Sequence, residues 1–218
     1  AMTEVMKVSH QKHSYKLHYF DIKGRGEPIR LIFEYFKISY DDVRIKFEDW
    51  PSVRKNAPLR FLPYLEVDKG KLVISEAPAI MRYLAKSFRA GFAGNSKSDS
   101  ARVDMYGEGA FDMFDVFMNI GMAPEEQREE ALENTTPRLI LFCDAYTEHL
   151  KKNGNKFING QQITWPDLVL VFVLSALDDL AHSVLKKYNE LVKYYLRMRD
   201  LDELREYIKA HWKPTKLE

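Results

Sequence analysis

Tyr19 is the side chain in this sequence that is best placed to do chemistry. It lies near the end of the alternating stretch Tyr15–Phe20, and a glycine-containing turn, Lys23-Gly24-Arg25-Gly26, follows it. A phenol at the end of a strand, facing the N-terminus of the next helix, lies where free N–H groups and the helix dipole favour an anion. Its weakly acidic O–H can donate a hydrogen bond to a developing thiolate. The alternative is that Tyr19 is an ordinary strand tyrosine.

The elements that must position Tyr19 follow from hydrophobic periodicity. Beyond the turn, the apolar residues fall on one face of a helix, which predicts a strand-turn-helix unit: Ile29, Ile32, Phe33 and Phe36. Alternation predicts a second strand over Asp41–Phe47, which Trp50-Pro51 ends. Two short runs around Asp68–Lys71 predict a hairpin of Tyr64–Val67 and Leu72–Ile74. A helix over residues 77–88 completes a β-α-β-irregular-β-β-α order.

The second half of the sequence predicts helices and no convincing strand. One long helix is expected around Val103–Phe117, and Thr136-Pro137 is predicted to begin another, because proline suits a first helical turn. Thr164 and Asp167 have capping-box spacing, and the apolar turns that follow predict a buried helix. We interpret this motif as a folding device. Further helices are predicted around Leu191–Met198 and Leu201–Trp212.

Composition limits the function classes. The 218 residues carry 33 Lys and Arg against 32 Asp and Glu, a formal net charge of +1, which makes nucleic acid an unlikely partner. One cysteine, Cys143, excludes an intramolecular disulfide and fits a reducing compartment. No apolar run has the length of a membrane span, and residues 3–14 lack the apolar core of a signal peptide. The six histidines have no HxxxH spacing, so no zinc site is predicted, and residues 24–26 lack the spacing of a dinucleotide site.

Taken together, these pieces resemble the cytosolic glutathione transferases, most closely the sigma class with its helminth and insect relatives and haematopoietic prostaglandin D synthase. The matching stretches are spread from about Ser14 to Asp167 in the family's order: YKLHYFDIKGRGE from Tyr15, DWP from Asp49, LPYLEVD from Leu62, AIMRYL from Ala79 and GQQITWPD from Gly160. The closing Lys213-Pro214-Thr215 also resembles the family's ending.

The resemblance implies an α/β plus all-α protein, with an N-terminal thioredoxin-like domain followed by a C-terminal helical-bundle domain. We expect a flexible tail over residues 1–13, the glutathione-binding domain over 14–90, a linker over 91–98 and the helical domain over 99–218. It also implies a cytoplasmic homodimer that uses glutathione as co-substrate and requires no metal.

By the same resemblance, Tyr19 is the catalytic hydrogen-bond donor and Arg25 adds positive potential. Free thiols have a pKa near 8.5, and lowering it by about two units takes about 2.7 kcal/mol. A phenol hydrogen bond, helped by a cation and a helix N-terminus, is of that size. Arg30 matches a further arginine that assists in some relatives; the alternative is a helix-surface charge.

The remaining glutathione contacts are likewise carried over position by position. Trp50 and Arg54 would hold the glycyl end, and Leu62 would pair its main chain with the cysteinyl part. Pro63 resembles the family's cis proline, and the alternative is that it simply ends an irregular segment. The full predicted set for glutathione is Tyr19, Arg25, Trp50, Arg54, Phe61, Leu62, Pro63, Glu76, Ala77 and Asp112.

Three features of this set bear on glutathione affinity. Relatives usually carry serine at the position of Ala77, after a Gln or Glu that Glu76 matches, and its loss predicts an affinity about ten- to hundredfold lower. Arg60-Phe61 replaces a glycine and a polar residue, so Phe61 cannot supply the expected polar contact. Asp112 matches an acid that relatives contribute across the dimer interface.

The apolar electrophile pocket would be lined by Ile22, Met113, Phe114, Phe117, Val169 and Val173. A Met and Phe stripe at helical spacing is more often core than pocket, so both interpretations stay open. Two functions are consistent with the sequence. The first is a glutathione transferase acting on apolar electrophiles, with peroxidase or prostaglandin isomerase activity as narrower versions. The second is a weakly active or inactive relative that binds haem or another apolar ligand, or that has a structural role.

Overall fold

The structure, a computed structural model, describes residues 11–217. Residues 1–10 of the predicted tail lie outside the described residues. Residues 11–13 of the predicted tail are described, and its flexibility stays a prediction. The Gln11 side chain donates to the Ser39 carbonyl oxygen at 2.9 Å, and His13 Nδ1 lies 2.7 Å from Asp68 Oδ2. Gln11 and His13 therefore have polar partners within the first folded unit.

The described chain forms two compact units that divide between Leu84 and Ala85, and the predicted domain limits, 14–90 and 99–218, stay a prediction. The first unit contains four strands, two helices and the start of a third: β1 (Tyr15–Phe20), α1 (Glu27–Phe36), β2 (Asp41–Ile45), α2 (Trp50–Val53), β3 (Tyr64–Val67), β4 (Leu72–Ser75) and α3 (Ala77–Phe88). The strand order is β2-β1-β3-β4, with β2 parallel to β1 and the other two pairs antiparallel. This is the predicted thioredoxin-like topology.

The core of this unit forms between one face of the sheet and α1. Leu17 of β1 lies opposite Leu65 of β3, and both are fully buried. On the same face of β1, Tyr15 contacts the α1 residue Phe33, with 5.3 Å between ring centroids. The apolar face of β1 therefore packs against the apolar face of α1, as the two periodicities predict. Strand β2 is shorter than predicted, since it ends at Ile45. Phe47 lies beyond it, 63% exposed, and its ring stacks on Phe20.

The second unit is helical, with α4 (Lys97–Gly121), α5 (Arg128–Lys152), α6 (Trp165–Leu180), α7 (His182–Leu185), α8 (Asn189–Arg199) and α9 (Arg205–His211). Helix α6 is buried along most of its length, as its apolar sequence predicts. At its start, the fully buried Trp165 ring lies against Gly107 of α4. None of the described helices combines the length and apolarity needed to cross a membrane.

One sequence prediction in this unit differs from the structure. Pro137 lies inside α5 and does not begin a helix. Proline cannot donate to the carbonyl four residues earlier. In the preceding turn, the Thr135 and Thr136 hydroxyls donate to the Ala131 and Leu132 carbonyls, at 2.7 and 2.6 Å.

The predicted linker over residues 91–98 is also partly packed. Phe92 is 1% exposed and its carbonyl accepts a hydrogen bond from the Trp165 N–H at 3.1 Å.

The capping box at the start of α6 is confirmed. Asp167 Oδ2 accepts from the Thr164 N–H, and its Oδ1 accepts from the Ile158 N–H and the Tyr194 hydroxyl, at 2.9, 2.9 and 2.7 Å. Asp167 is fully buried, and desolvation raises its pKa to about 6 in spite of these donors. The carboxyl therefore joins the loop before α6, the helix start and α8 at one point.

This burial predicts a pH dependence of stability. Because the folded-state pKa of Asp167 exceeds its unfolded value, its contribution is fully present below pH 4 and is lost as pH rises through 6. Relative to an Asp167→Asn variant, the parent should lose up to about 3 kcal/mol of unfolding free energy over that window. Urea unfolding of both proteins from pH 4 to 7 measures the difference. A flat difference, or one that grows with pH, would contradict the assignment.

Candidate functional site

Strand register brings the predicted glutathione contacts of the first unit to one end of the sheet. Strand β3 begins at Tyr64 opposite His18, and β4 ends at Ser75 opposite Tyr64. Because β3 is antiparallel to both neighbours, the segments just before β3 and just after β4 lie at the carboxyl end of β1. Residues 62–63 and 76–77 are therefore at the same end of the sheet as Tyr19. Strand β2 ends beside Phe20, so residue 50 follows from this end as well.

Tyr19 is 7% exposed, and its phenol oxygen accepts the Arg25 backbone N–H at 3.0 Å. Burial raises the pKa of Tyr19, while this hydrogen bond and the charges of Arg25 and Arg30 oppose the rise. The phenol is therefore neutral at physiological pH. Its oxygen already accepts a main-chain donor, so its proton can be donated to an incoming anion. This is the predicted placement of the hydroxyl, facing the turn that leads into α1.

The two glycines of the turn make room for the Tyr19 ring. A Cβ at residue 24 would lie 2.3 Å from the phenol oxygen, and one at residue 26 would lie 2.5 Å from a ring carbon. Gly24 also has a positive φ of +41°. Glycine is therefore required at both positions by close approach of the ring. The Gly-x-Gly spacing was visible in the sequence, but its partner was not.

Arg30 is fully buried, so the surface-charge alternative is wrong. Its guanidinium donates to the carbonyl oxygens of Phe20 and Ile22, at 3.4 and 2.7 Å, and to Asp42 of β2 at 3.2 Å. Its charge centre lies 5.9 Å from the centre of the Tyr19 ring. Arg30 thus fixes the segment between β1 and the Arg25 turn. This role in holding the loop could not be predicted from the sequence, because the acceptors are main-chain carbonyls and a residue on another strand.

The two residues predicted to hold the glycyl end of glutathione, Trp50 and Arg54, lie together beside this end of the sheet. Arg54 is exposed and its charge centre lies 5.9 Å from the centre of the Trp50 ring. Trp50 meets Phe20 edge to face, with 6.0 Å between ring centroids. Trp50 and Arg54 are thus brought together, as the prediction requires.

The peptide bond between Leu62 and Pro63 is cis, as predicted. Phe61, just before it, is 69% exposed, so this side chain faces solvent. The Arg60 guanidinium next to it donates to the carbonyl oxygens of Lys55 and Ala57. Of the two residues that depart from the family pattern, Arg60 therefore stabilises the local loop, whereas Phe61 is an apolar side chain exposed to solvent.

Glu76 connects β4 to α3, and Ala77 is the first residue of α3. Glu76 has a φ of +73°, which is unusual for a residue with a side chain, and Ala77 is 1% exposed. Strained backbone of this kind clusters at ligand-binding positions. The hydroxyl of Ser75, just before them, is buried and has no hydrogen-bond partner among the described residues. A polar group at this end of the sheet is thus left without a protein acceptor.

The other predicted residues divide between the two units. Ile22 lies in the first unit, 40% exposed. In the second unit, Asp112 is exposed on α4. The five apolar residues predicted for the electrophile pocket are at most 6% exposed within the helical unit, as core residues are: Met113, Phe114, Phe117, Val169 and Val173. Their role as a pocket stays a prediction.

Residues 11–217 contain no group of three His, Cys, Asp or Glu side chains arranged to hold a metal ion. The expectation that no metal is required therefore stays a prediction. Cys143 is buried, and burial raises the pKa of its thiol to about 12, so this cysteine is unsuited to act as a nucleophile.

Comparison with known proteins finds a family model for each of the two units. Residues 15–86 match the model of the glutathione S-transferase N-terminal domain, and residues 111–211 match that of the C-terminal domain. The chain is 34% identical to glutathione S-transferase 1 of Ascaris suum, over 89% of this chain and 95% of the relative. It is 30% identical to S-crystallin 4 of Enteroctopus dofleini, over 82% and 87%. It is also 30% identical to human hematopoietic prostaglandin D synthase, over 90% and 96%.

Solved structures give the same result for the fold. A sigma class glutathione S-transferase of Fasciola hepatica has a TM-score of 0.81 at 26% identity, covering 94% of this chain and 99% of that one. A glutathione S-transferase of the hookworm Necator americanus, described as monomeric, has a TM-score of 0.82 at 27% identity, with 92% and 98% covered.

Proposed function

Because this chain belongs to the glutathione S-transferase family, we propose that it is a glutathione transferase in which Tyr19 stabilises the thiolate of bound glutathione. The observation that carries the proposal is the buried, neutral phenol whose oxygen is held by the Arg25 N–H. The hydroxyl proton of a phenol held in this way is not used in the bond to Arg25 and can be donated to the bound thiolate. The thiolate then attacks an apolar electrophile.

The energetics support this role. A bound thiol with a pKa two units below its free value requires about 2.7 kcal/mol of preferential anion stabilisation. A hydrogen bond from the Tyr19 phenol to the anion supplies about 1.5–3 kcal/mol. The positive potential of Arg25 adds to this, and the guanidinium of Arg30 maintains the loop that presents both groups. Rate acceleration then comes from a larger thiolate population at neutral pH.

The tripeptide would lie along the end of the sheet. Trp50 and Arg54 would bind the glycyl carboxylate, and the main chain of Leu62, before the cis Pro63, would pair with the cysteinyl unit. The γ-glutamyl carboxylate would accept the Ala77 N–H at the start of α3, beside Glu76 and the unpartnered Ser75 hydroxyl. Phe61 would add only apolar contact.

Asp112 would complete the site from a second subunit, by contacting the amine of glutathione across a homodimer interface. Sedimentation velocity at micromolar protein concentration, paired with calorimetric titration of glutathione, tests whether a second subunit is needed. A monomer that binds glutathione with micromolar affinity would contradict the role of Asp112. The electrophile would contact the apolar residues of α4 and α6 named above, and the role of Ile22 of the first unit stays a prediction. We also propose a cytoplasmic location, because a single cysteine fits a reducing compartment and the chain resembles the cytosolic members of the family.

Isomerisation of a prostaglandin endoperoxide is a narrower version of the same chemistry, motivated by the human relative. A product assay on the endoperoxide tests it. Prostaglandin D formed no faster than without the protein would remove this version and leave the transferase proposal intact.

The second candidate is a binding or structural protein that kept the fold. Two observations favour it: Ala77 stands where a hydroxyl is expected, and the curated relatives include S-crystallins. Calorimetric titration with glutathione, paired with conjugation of 1-chloro-2,4-dinitrobenzene, separates the two candidates. Micromolar binding with turnover supports the enzyme, whereas millimolar or absent binding without turnover supports the binding protein.

The Ala77→Ser variant should bind glutathione about ten- to hundredfold more tightly than the parent. One added charge-assisted hydrogen bond to the γ-glutamyl carboxylate supplies this gain. The KM for glutathione and the calorimetric Kd should fall together. Ala79→Ser, two residues further along the same helix, is the matched control and should change neither value. Unchanged affinity in the Ala77 variant would place the carboxylate elsewhere.

A further inference from the structure

A network of four charged side chains surrounds the segment that joins β1 to the Arg25 turn. We call it the β2 clamp, and its members are Asp21, Arg30, Asp42 and Arg44. Asp42 and Arg44 lie on β2, opposite Leu17 and Tyr19 of β1. Because alternate residues of a strand point to the same face, both side chains lie on the face of the sheet that packs against α1.

The inner half of the clamp joins Asp42 to Arg30. Both carboxylate oxygens of Asp42 accept the Arg30 Nε–H at 3.2 Å. A fully buried guanidinium requires a carboxylate close by, and another acid near Arg30, Glu27, lies further away at 3.9 Å. The two terminal nitrogens of Arg30 donate to the Ile22 and Phe20 carbonyls. Asp42 therefore sets the direction in which Arg30 holds the main chain of this segment.

The outer half of the clamp joins Asp42 to Asp21, the first residue after β1. Arg44 bridges the two acids, since its guanidinium donates to Asp42 at 3.0 Å and to Asp21 at 2.9 Å. An isolated exposed ion pair contributes little, and the Asp21 side chain is 71% exposed. Here, however, the guanidinium is held by two carboxylates, one of which also binds Arg30. The segment after β1 is thus held twice, by Arg30 through its carbonyls and by Arg44 through a side chain.

The clamped segment leads directly into the turn that contacts the Tyr19 phenol. Arg30 holds the carbonyls of Phe20 and Ile22. Further along the same segment, the Arg25 N–H donates to the phenol oxygen at 3.0 Å. Hydrogen bonds weaken steeply with distance and angle, so a shift of about 0.5 Å in this segment would misplace the Arg25 N–H relative to the phenol. The clamp therefore maintains the geometry on which thiolate stabilisation depends.

We propose that Asp42 and Arg44 are positioning residues for the activation of glutathione. They act through Arg30 and Asp21 to hold the turn in the geometry in which Tyr19 donates to the sulfur. Neither residue contacts the substrate, and neither makes or breaks a bond. The inference rests on the proposed function, and it adds that strand β2 helps to set the pKa of the bound thiol.

Two substitutions test the two halves of the clamp. Asp42→Asn removes the charge that balances Arg30, and Arg44→Gln removes the bridge to Asp21. In each variant, the ultraviolet absorbance of the bound thiolate as a function of pH should show a thiol pKa higher by about 0.5–1. Below that pKa, kcat for conjugation of 1-chloro-2,4-dinitrobenzene should fall about three- to tenfold, while the KM for glutathione changes less than about twofold. At about pH 9 the rates should converge, because the thiol is then ionised in every protein.

Asp21→Asn, alone and combined with Arg44→Gln, completes a double-mutant cycle. Because both changes break the same contact, the double variant should be no more impaired than Arg44→Gln alone. Additive losses would mean that Asp21 and Arg44 act independently, and they would overturn the part of the proposal in which Arg44 acts through Asp21.

Asp41→Asn, which changes an exposed residue of the same strand, is the matched control and should leave the thiol pKa unchanged. Thermal unfolding shows whether each variant is folded, and if Asp42→Asn is not, Arg44→Gln at its 40% exposed side chain decides the outcome. Folded variants that keep the parent's thiol pKa overturn the inference even if they unfold at a lower temperature, because the clamp would then serve stability alone. A parent that does not lower the thiol pKa of glutathione overturns the proposed function, and the inference with it.

Discussion

Tyr19→Phe should lower kcat/KM for glutathione conjugation at least tenfold while leaving the fold intact. The substitution removes the only atom that can donate a proton from this position, and it leaves the Arg25 N–H without the acceptor it has at 3.0 Å. Loss of one hydrogen bond to a developing anion corresponds to about 1.5–3 kcal/mol, or about ten- to hundredfold in rate. The pKa of the bound thiol should rise toward its free value of about 8.5.

Conjugation of 1-chloro-2,4-dinitrobenzene, followed as a function of pH, measures both effects. Tyr15→Phe is a suitable control, because Tyr15 is also buried on the same face of β1 but lies away from the Arg25 turn. It should keep the parent's rate and pH profile. A Tyr19→Phe protein as active as the parent would remove Tyr19 from the mechanism and favour the binding-protein candidate.

Gly107→Ala should destabilise the helical unit by about 2 kcal/mol. A Cβ at residue 107 would lie 1.9 Å from the Trp165 ring, and that ring is fully buried at the start of α6. Relief requires the ring or one of the two helices to move, and overpacking of this kind costs about 1–3 kcal/mol or more. The gain of about 1 kcal/mol from alanine's helix propensity does not compensate.

Thermal unfolding should show this as a midpoint lower by about 4–8 °C for a chain of this size. Gly121→Ala is the matched control in the same helix, since its Cβ would meet only Leu180 at an ordinary 3.8 Å. That variant should be as stable as the parent or slightly more so. Equal stability of both variants would mean that α4 and α6 are not held together through this contact.

Local patterns predicted the elements well. The strand-turn-helix unit, the hairpin and the capping box at Thr164 and Asp167 each depend on residues within a few positions of one another, and each is confirmed. Pro137 was misplaced because a proline in a first turn and one inside a helix look alike in sequence. Here two threonine hydroxyls bond back to the previous turn, and only the structure shows this.

The candidate site was less predictable, because its geometry depends on partners far away in sequence. Arg30 is buried since β2 brings Asp42 to it and the β1 segment turns its carbonyls inward. Likewise, the positive φ of Glu76 comes from the junction of β4 with α3 and has no sequence signal of its own. The tripeptide contacts and the domain limits stay predictions. Tyr19→Phe and Ala77→Ser test two of the tripeptide contacts.

The raised pKa of Tyr19 has a consequence for how this protein would behave in acid and base. A phenol that stays protonated throughout the biological range supplies a constant donor and adds no ionisation of its own to the rate profile. Under the proposed mechanism, the acid limb of turnover therefore reports the bound sulfur alone. The hydrogen-bond donor would then be the same in compartments of different acidity, and turnover would change only with the ionisation of the bound thiol.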